Sequence, residues 1–177
     1  SLVWWRDTLE DGDKFSLYSD VKVDYVVDST ETTSFLGVTG VAPFGGIVSP
    51  AHFGALTGTD TDYATEVQAA FTYALNSWDQ TRVAFTHRVD FGYEVYRADS
   101  SIGAVDRQNP SFTMSNGTLH SKAVGGIALD LGGTRGPVFD SFEVYGDITN
   151  MPDVGIYVGK ANINGAFPGV DGARFHN

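Results

Sequence analysis

The chain has no cysteine, which removes disulfides, thiolate metal sites and a cysteine nucleophile together. A large extracellular protein without such bridges takes its stability from a long repetitive core or from tight oligomerisation. Basic residues are scarce as well: 11 Lys and Arg stand against 22 Asp and Glu, a formal net charge of -11. That balance excludes nucleic acid as a partner, because gripping phosphates takes clustered Lys and Arg. Long apolar runs are missing. No stretch approaches the ~20 residues that span a bilayer, and none combines a basic start, an apolar middle and a small-residue cleavage site, so no membrane insertion is expected.

What is present is enough for a folded protein, since 42% of the 177 residues are apolar and 13% aromatic. Residues 1–39 read as short β-strands: Trp4 and Trp5, then Phe15-Ser16-Leu17-Tyr18, then Val21-Lys22-Val23-Asp24-Tyr25-Val26-Val27, where apolar and polar side chains largely alternate. Residues 40–50 concentrate Gly and Pro, which interrupt ladders. They mark a boundary between an N-terminal β-rich region, 1–47, and a second unit, 48–177.

From Asp62 to Trp78 the apolar residues Val67, Ala70, Phe71, Ala74, Leu75 and Trp78 recur at steps of three and four, which is one stripe of a helix. Asp60, Thr61 or Asp62 is placed to accept from its first free N–H groups, and Glu66 suits the positive end of its dipole. No other segment carries a convincing helical period. Beyond Asn76 the chain turns to short strand-like pieces broken by Gly, Asn, Asp and Pro: Val83-Ala84-Phe85, Val89-Asp90-Phe91, Tyr93-Glu94-Val95-Tyr96 and Phe112-Thr113-Met114.

Two of the later segments look alike. Ser111-Phe112-Thr113-Met114 matches Ser141-Phe142-Glu143-Val144 at an offset of 30, and Gly126-Ile127-Ala128-Leu129 matches Gly155-Ile156-Tyr157-Val158 at an offset of 29. A β repeat of about 30 residues is what successive coils of a parallel β-helix give, each burying its inward side chains on the next. This offset stacks Phe112 on Phe142, Ile127 on Ile156 and Leu129 on Val158, with Thr113 and Glu143 facing out. Arg174-Phe175-His176-Asn177 reads as the start of a third copy, so the β-helix is expected to continue beyond residue 177.

Phe53-Gly54-Ala55, the turn Gly58-Thr59-Asp60-Thr61-Asp62 and Gln68-Ala69-Ala70 on the helix resemble the opening of the pectate-lyase superfamily β-helix, a group that includes phage tailspikes and polysaccharide depolymerases. The resemblance runs over roughly residues 48–177. It departs from the pattern at Thr57-Gly58-Thr59, where a Gly-Asp-Gly-like turn is usual, and at Glu66-Val67, where Ala-Ile is usual. It implies a mainly β protein: a right-handed, three-faced parallel β-helix with one N-terminal capping α-helix and a small β-rich region before it. It further implies a homotrimer in the virion, outside the host cell, with residues 1–47 attaching to other tail proteins. The downstream β-helix would bind host cell-surface polysaccharide and degrade it. A secreted polysaccharide lyase or glycoside hydrolase is the alternative on the same fold, and a bacterial surface β-solenoid is a third class.

Hydrolysis of a glycosidic bond takes two carboxyl groups ~5–9.5 Å apart. The outward acids Asp130, Glu143, Asp147 and Asp153 are the candidates, but Asp is also the ordinary turn former, and all four read as turn or solvated residues. No catalytic set is identified in this segment. The resemblance places the groove of a depolymerase on middle coils past residue 177. His52, His87, His120 and His176 lack ligand spacing, so no metal site is expected, and nothing calls for a cofactor. Gly132-Gly133-Thr134-Arg135-Gly136 lacks the Gly-Lys-Ser/Thr ending of a phosphate loop and reads as a corner between strands. Asn116-Gly117-Thr118 fits a glycosylation acceptor, yet Asn-Gly is first a tight-turn dipeptide. Trp4 and Trp5, adjacent on a strand, would point to opposite faces, leaving one to meet a sugar or a neighbouring subunit.

Overall fold

A computed structural model describes residues 1–18, 20–76, 88–103, 113–132, 138–147, 149–157 and 174–176. The first element is a helix, α1 (Leu2–Thr8), capped by the Ser1 side chain, which accepts from Trp4 N–H at 3.4 Å. This corrects the strand expected there. Leu2, Trp5 and Leu9 recur at steps of three and four and face one apolar cluster, a helical period too short to stand out in the sequence. Trp4 and Trp5 therefore do not oppose each other across a sheet. Trp5 stacks on Phe15, with centroids 5.7 Å apart, while Trp4 meets Trp5 edge-on and is exposed.

Strands β1 (Lys14–Tyr18) and β2 (Lys22–Val27) form an antiparallel hairpin, and β3 (Val41–Pro43) pairs with the other edge of β2. The Gly/Pro-rich stretch thus supplies a strand before it breaks the ladder; Pro43 is tolerated because β3 lies on a sheet edge. Alternation puts Phe15, Val23, Tyr25 and Val27 inside, with Phe35, Val38, Val41 and Ala51 completing the cluster.

The rest of the described chain is a parallel stack. β4 (Ile47–Val48), β5 (Gly58–Asp62), α2 (Ala64–Asn76), β6 (Arg88–Ala98), β7 (Ile102–Gly103), β8 (Thr113–Ser121), β9 (Ile127–Asp130), β10 (Val138–Gly146), β11 (Val154–Tyr157) and β12 (Arg174–His176) follow in order. One sheet runs β12-β10-β8-β6-β4, with β5 also on β6, and a second runs β11-β9-β7; every pairing in both is parallel. A long strand followed by a short one therefore occurs three times, each laid on the last. The register builds apolar columns: Val89, Met114 and Phe139; Tyr96, Leu119 and Val144; Ile102, Leu129 and Ile156. β4 and β5 cover different parts of β6 from below, and α2 packs the buried Val67, Ala70, Phe71, Ala74 and Leu75 against the same core. Its start is as expected, with Asp62 Oδ1 accepting from Ala64 N–H at 3.0 Å. Trp78 lies outside the described residues, as do Val83-Ala84-Phe85.

The offset differs from the sequence expectation. Thr113 faces Val138, 25 positions on, so Phe142 lies opposite Gly117, and Phe112 falls outside the described residues. Ile127 faces Val154, and Ile156 faces Leu129 rather than Ile127; Val158 is outside the described residues. The cause is a backbone break inside each long strand. Asn116 (φ 54) and Ser141 (φ 53) are left-handed and lie side by side, and a match of Phe112 to Phe142 sets a residue before this break against one after it. A shift of two in the second sheet leaves faces unchanged. In the first sheet the shift of five spans the left-handed break and the expected faces are kept, Phe142 packing against the core and Glu143 exposed. Phe142 still meets a phenylalanine. Phe91 reaches it across Gly117, with centroids 5.0 Å apart and rings nearly perpendicular.

Candidate functional site

Side chains that leave the core face of the stacked strands line up in rows, because in-register parallel pairing repeats each position on the next strand. One row is Asp90, Ser115 and Asp140; a second is Val95, Thr118 and Glu143; a third is Arg97, His120 and Tyr145. A row of this kind repeats at about 4.8 Å, the strand spacing.

The first row carries a dense polar network. Asp90 Oδ2 accepts from Ser115 Oγ at 3.1 Å and Asn116 Nδ2 at 2.9 Å and pairs with Arg88 Nε at 3.1 Å, while Asp90 Oδ1 accepts from Gly92 N–H at 2.8 Å. Arg88 Nε also donates to Ser115 Oγ. Ser115 has no exposed surface, so this network leaves it no route to a substrate carbonyl or sugar as a nucleophile. Asn116 fills this role from a left-handed position, where Asn is tolerated, and so is not the tight turn expected of Asn-Gly.

In the third row Arg97 grips the Asp99 carboxylate with Nε and Nη2 and reaches the Asp60 carbonyl at 3.0 Å. This bidentate grip holds the Asp99 carboxyl below its ordinary pKa. Tyr145 stacks on His120, centroids 4.5 Å apart and 13° from parallel, and covers it. Burial pushes the His120 pKa down, with Lys122 adding to the effect. Lys122 Nζ lies 3.6 Å from Asp147 Oδ2. The surface therefore offers charged pairs beside an aromatic stack in a regularly spaced array.

No protein-family model matches the chain, and no curated protein matches it. Among solved structures, it is similar to the Acinetobacter baumannii phage AM24 tailspike protein, at 14% identity and a TM-score of 0.44, over 90% of this chain and 33% of that one. The chain thus spans about a third of the length of that protein.

The four acids singled out in the sequence are scattered. Glu143 is exposed on the second row; Asp147 Oδ1 accepts from Thr149 N–H at 3.4 Å and Asp130 Oδ1 from Gly132 N–H at 2.8 Å, both turn roles; Asp153 is exposed beside β11. His52 is buried, its Nδ1 accepting from Ser49 N–H at 3.0 Å, and belongs to the N-terminal junction. His120 alone of the four histidines joins the rows with its side chain described; His176 lies opposite Asp140 on the β12 backbone, and His87 is outside the described residues. Gly132 follows β9, and residues 133–137 are outside the described residues. Among the described residues no group of acids and histidines could hold a metal ion, and no helix is long and apolar enough to cross a membrane. The Asp90 network was missed because its members lie about 25 residues apart. Aligning Val89-Asp90, Met114-Ser115 and Phe139-Asp140, each an apolar residue followed by a polar one, would have found it.

Proposed function

We propose that this chain is the N-terminal part of a tailspike-type component of a phage tail, built on a right-handed parallel β-helix that assembles as a homotrimer. On this reading residues 1–47 attach it to other virion tail proteins, and the stacked strands support a surface that binds host cell-surface polysaccharide and, in the longer protein, degrades it. The observation that carries the reading is the in-register parallel stack begun by β4, β5 and α2. A regularly repeating protein surface suits a regularly repeating polymer, and stacked units of this kind generate extended binding faces. The Phe53-Gly54-Ala55 to Gln68-Ala69-Ala70 resemblance points the same way.

The test is light scattering together with retention on immobilised bacterial capsule. A particle three times the 19.0 kDa chain mass that retains capsular polysaccharide is the expected result. A monomer that releases reducing ends or unsaturated sugars would move the assignment to a secreted lyase or hydrolase. A monomer that neither retains nor cleaves capsule would overturn the reading.

A further inference from the structure

The N-terminal unit carries a cleft of about 590 Å³ between the end of α1 and the loop that joins β2 to β3, within the range of about 300–1,000 Å³ usual for ligand sites. Leu9 and Val27 give it apolar walls, and Ser29, Thr32 and Thr39 add hydroxyls. Among the described residues these three hydroxyls have no hydrogen-bond partner, so they are available to a ligand.

Two carboxylates complete the lining, Asp11 and Glu31. Neutral donors hold both: Asp11 Oδ1 accepts from Ser29 N–H at 2.7 Å, and Glu31 accepts from Thr33 N–H at 2.7 Å and from Tyr73 O–H at 3.0 Å. Neither pairs with a cation among the described residues. Residues 1–47 hold eight acids and three bases, and the three bases are engaged elsewhere. Arg6 Nε lies 2.7 Å from Asp7 Oδ1, an ion pair out of line for a hydrogen bond; Lys22 Nζ lies 2.9 Å from Asp24 Oδ1, and Lys14 Nζ 4.1 Å over the Phe44 ring. Arg6 also borders the cleft, but Asp7 already balances it. The negative field is felt inside the fold: burial first, and then the charges of Glu31 and Asp28, push the Tyr73 phenol pKa up.

Uncompensated carboxylates beside apolar walls favour a cation that brings carbon with it. A bare metal ion would leave Leu9 and Val27 unmatched, and among the described residues no group of acids and histidines could hold one. A second copy of this region would bring the same excess of acids. A lysine or arginine side chain suits both surfaces, its methylenes lying on the apolar walls and its charge on the carboxylates. The hydroxyls then meet the backbone of the segment that carries it.

We infer that the cleft between α1 and the β2–β3 loop docks a Lys- or Arg-bearing segment of a neighbouring tail protein, with Asp11 and Glu31 as its counter-charges. The inference rests on the reading of residues 1–47 as the attachment side and gives that side a site and a partner chemistry.

The experiment probes an array of short synthetic peptides, cationic, neutral and anionic at matched hydropathy, with the labelled full chain, and then titrates the strongest binder. Asp11→Asn combined with Glu31→Gln removes the charge and keeps both hydrogen-bond acceptors, and Thr32→Lys sets a cation on an exposed wall. The expected result is strongest binding by peptides that carry Lys or Arg, weakening as salt rises, at least about tenfold weaker binding in either variant, and an unchanged Tm for Thr32→Lys. Unchanged binding in either variant, or strongest binding by neutral or anionic peptides, overturns the cleft. Loss of a trimer in Thr32→Lys assigns the cleft to a second copy and likewise overturns it. Capsule retention without binding of any peptide overturns the cleft and leaves the tailspike reading standing; cleft-dependent peptide binding without capsule retention or cleavage does the reverse.

Discussion

The Gln68 carboxamide hydrogen-bonds both backbone groups of Gly103: Nε2 donates to the carbonyl at 2.9 Å and Oε1 accepts from the N–H at 2.9 Å. Gly103 ends β7, the edge strand of the second sheet, and a side-chain amide has the donor and acceptor a neighbouring strand would offer. Helix α2 thus closes that edge with a substitute peptide group, which protects an otherwise sticky margin.

Gln68→Leu should destabilise the protein by about 1–3 kcal/mol, since each lost partner leaves a backbone group of Gly103 unmet. Urea unfolding followed by circular dichroism measures it. A change below about 0.5 kcal/mol would show that water replaces the amide without loss.

Gly117 is required by its neighbours. A Cβ there would lie 2.4 Å from Phe91 Cβ and 2.7 Å from the Glu94 carbonyl oxygen. Gly117→Ala should cost about 1–3 kcal/mol or more through overpacking, seen as a lower Tm. An unchanged Tm would argue against the Phe91–Phe142 contact across this position.

The 25-residue register predicts energetic coupling between Met114 and Phe139, which face each other within one apolar column. A double-mutant cycle with Met114→Ala and Phe139→Ala should give a coupling of about 0.5–3 kcal/mol. Additive single effects would point to a different register.

Burial holds the His52 pKa below its ordinary value of 6.5, and protonating Nδ1 would sacrifice the bond from Ser49 N–H. The unfolded chain then binds protons more readily than the folded one just below that pH, so stability falls as pH drops below about 6.5. Hydrogen bonding from Ser16 lowers the Asp24 pKa below 3.8, which extends the loss into the carboxylate range. Thermal melts between pH 7 and 5 should show the decline, and His52→Gln should start from a lower Tm with a shallower slope. An identical slope would remove His52 as its source.

Legibility in the sequence followed the length of each signal. α2 was readable because six buried residues, Ala64, Val67, Ala70, Phe71, Ala74 and Leu75, repeat one stripe within 13 positions. α1 was not, because its seven residues give barely two turns and its paired tryptophans look like strand. Parallel strands could be read from the repeat, but the spacing could not, since Asn116 and Ser141 turn left-handed without any mark in the pattern of apolar residues. The Asp90 network arises only once distant strands are in register.

Because β4 and β5 each lie along β6, and β8 and β10 follow in turn, the N-terminal layer acts as a template that hands its alignment upward. Cohesion of such an array passes only between adjacent layers. Damage at the template therefore reaches β8 only through β6, and β10 only through β8, so each layer buffers the one above it.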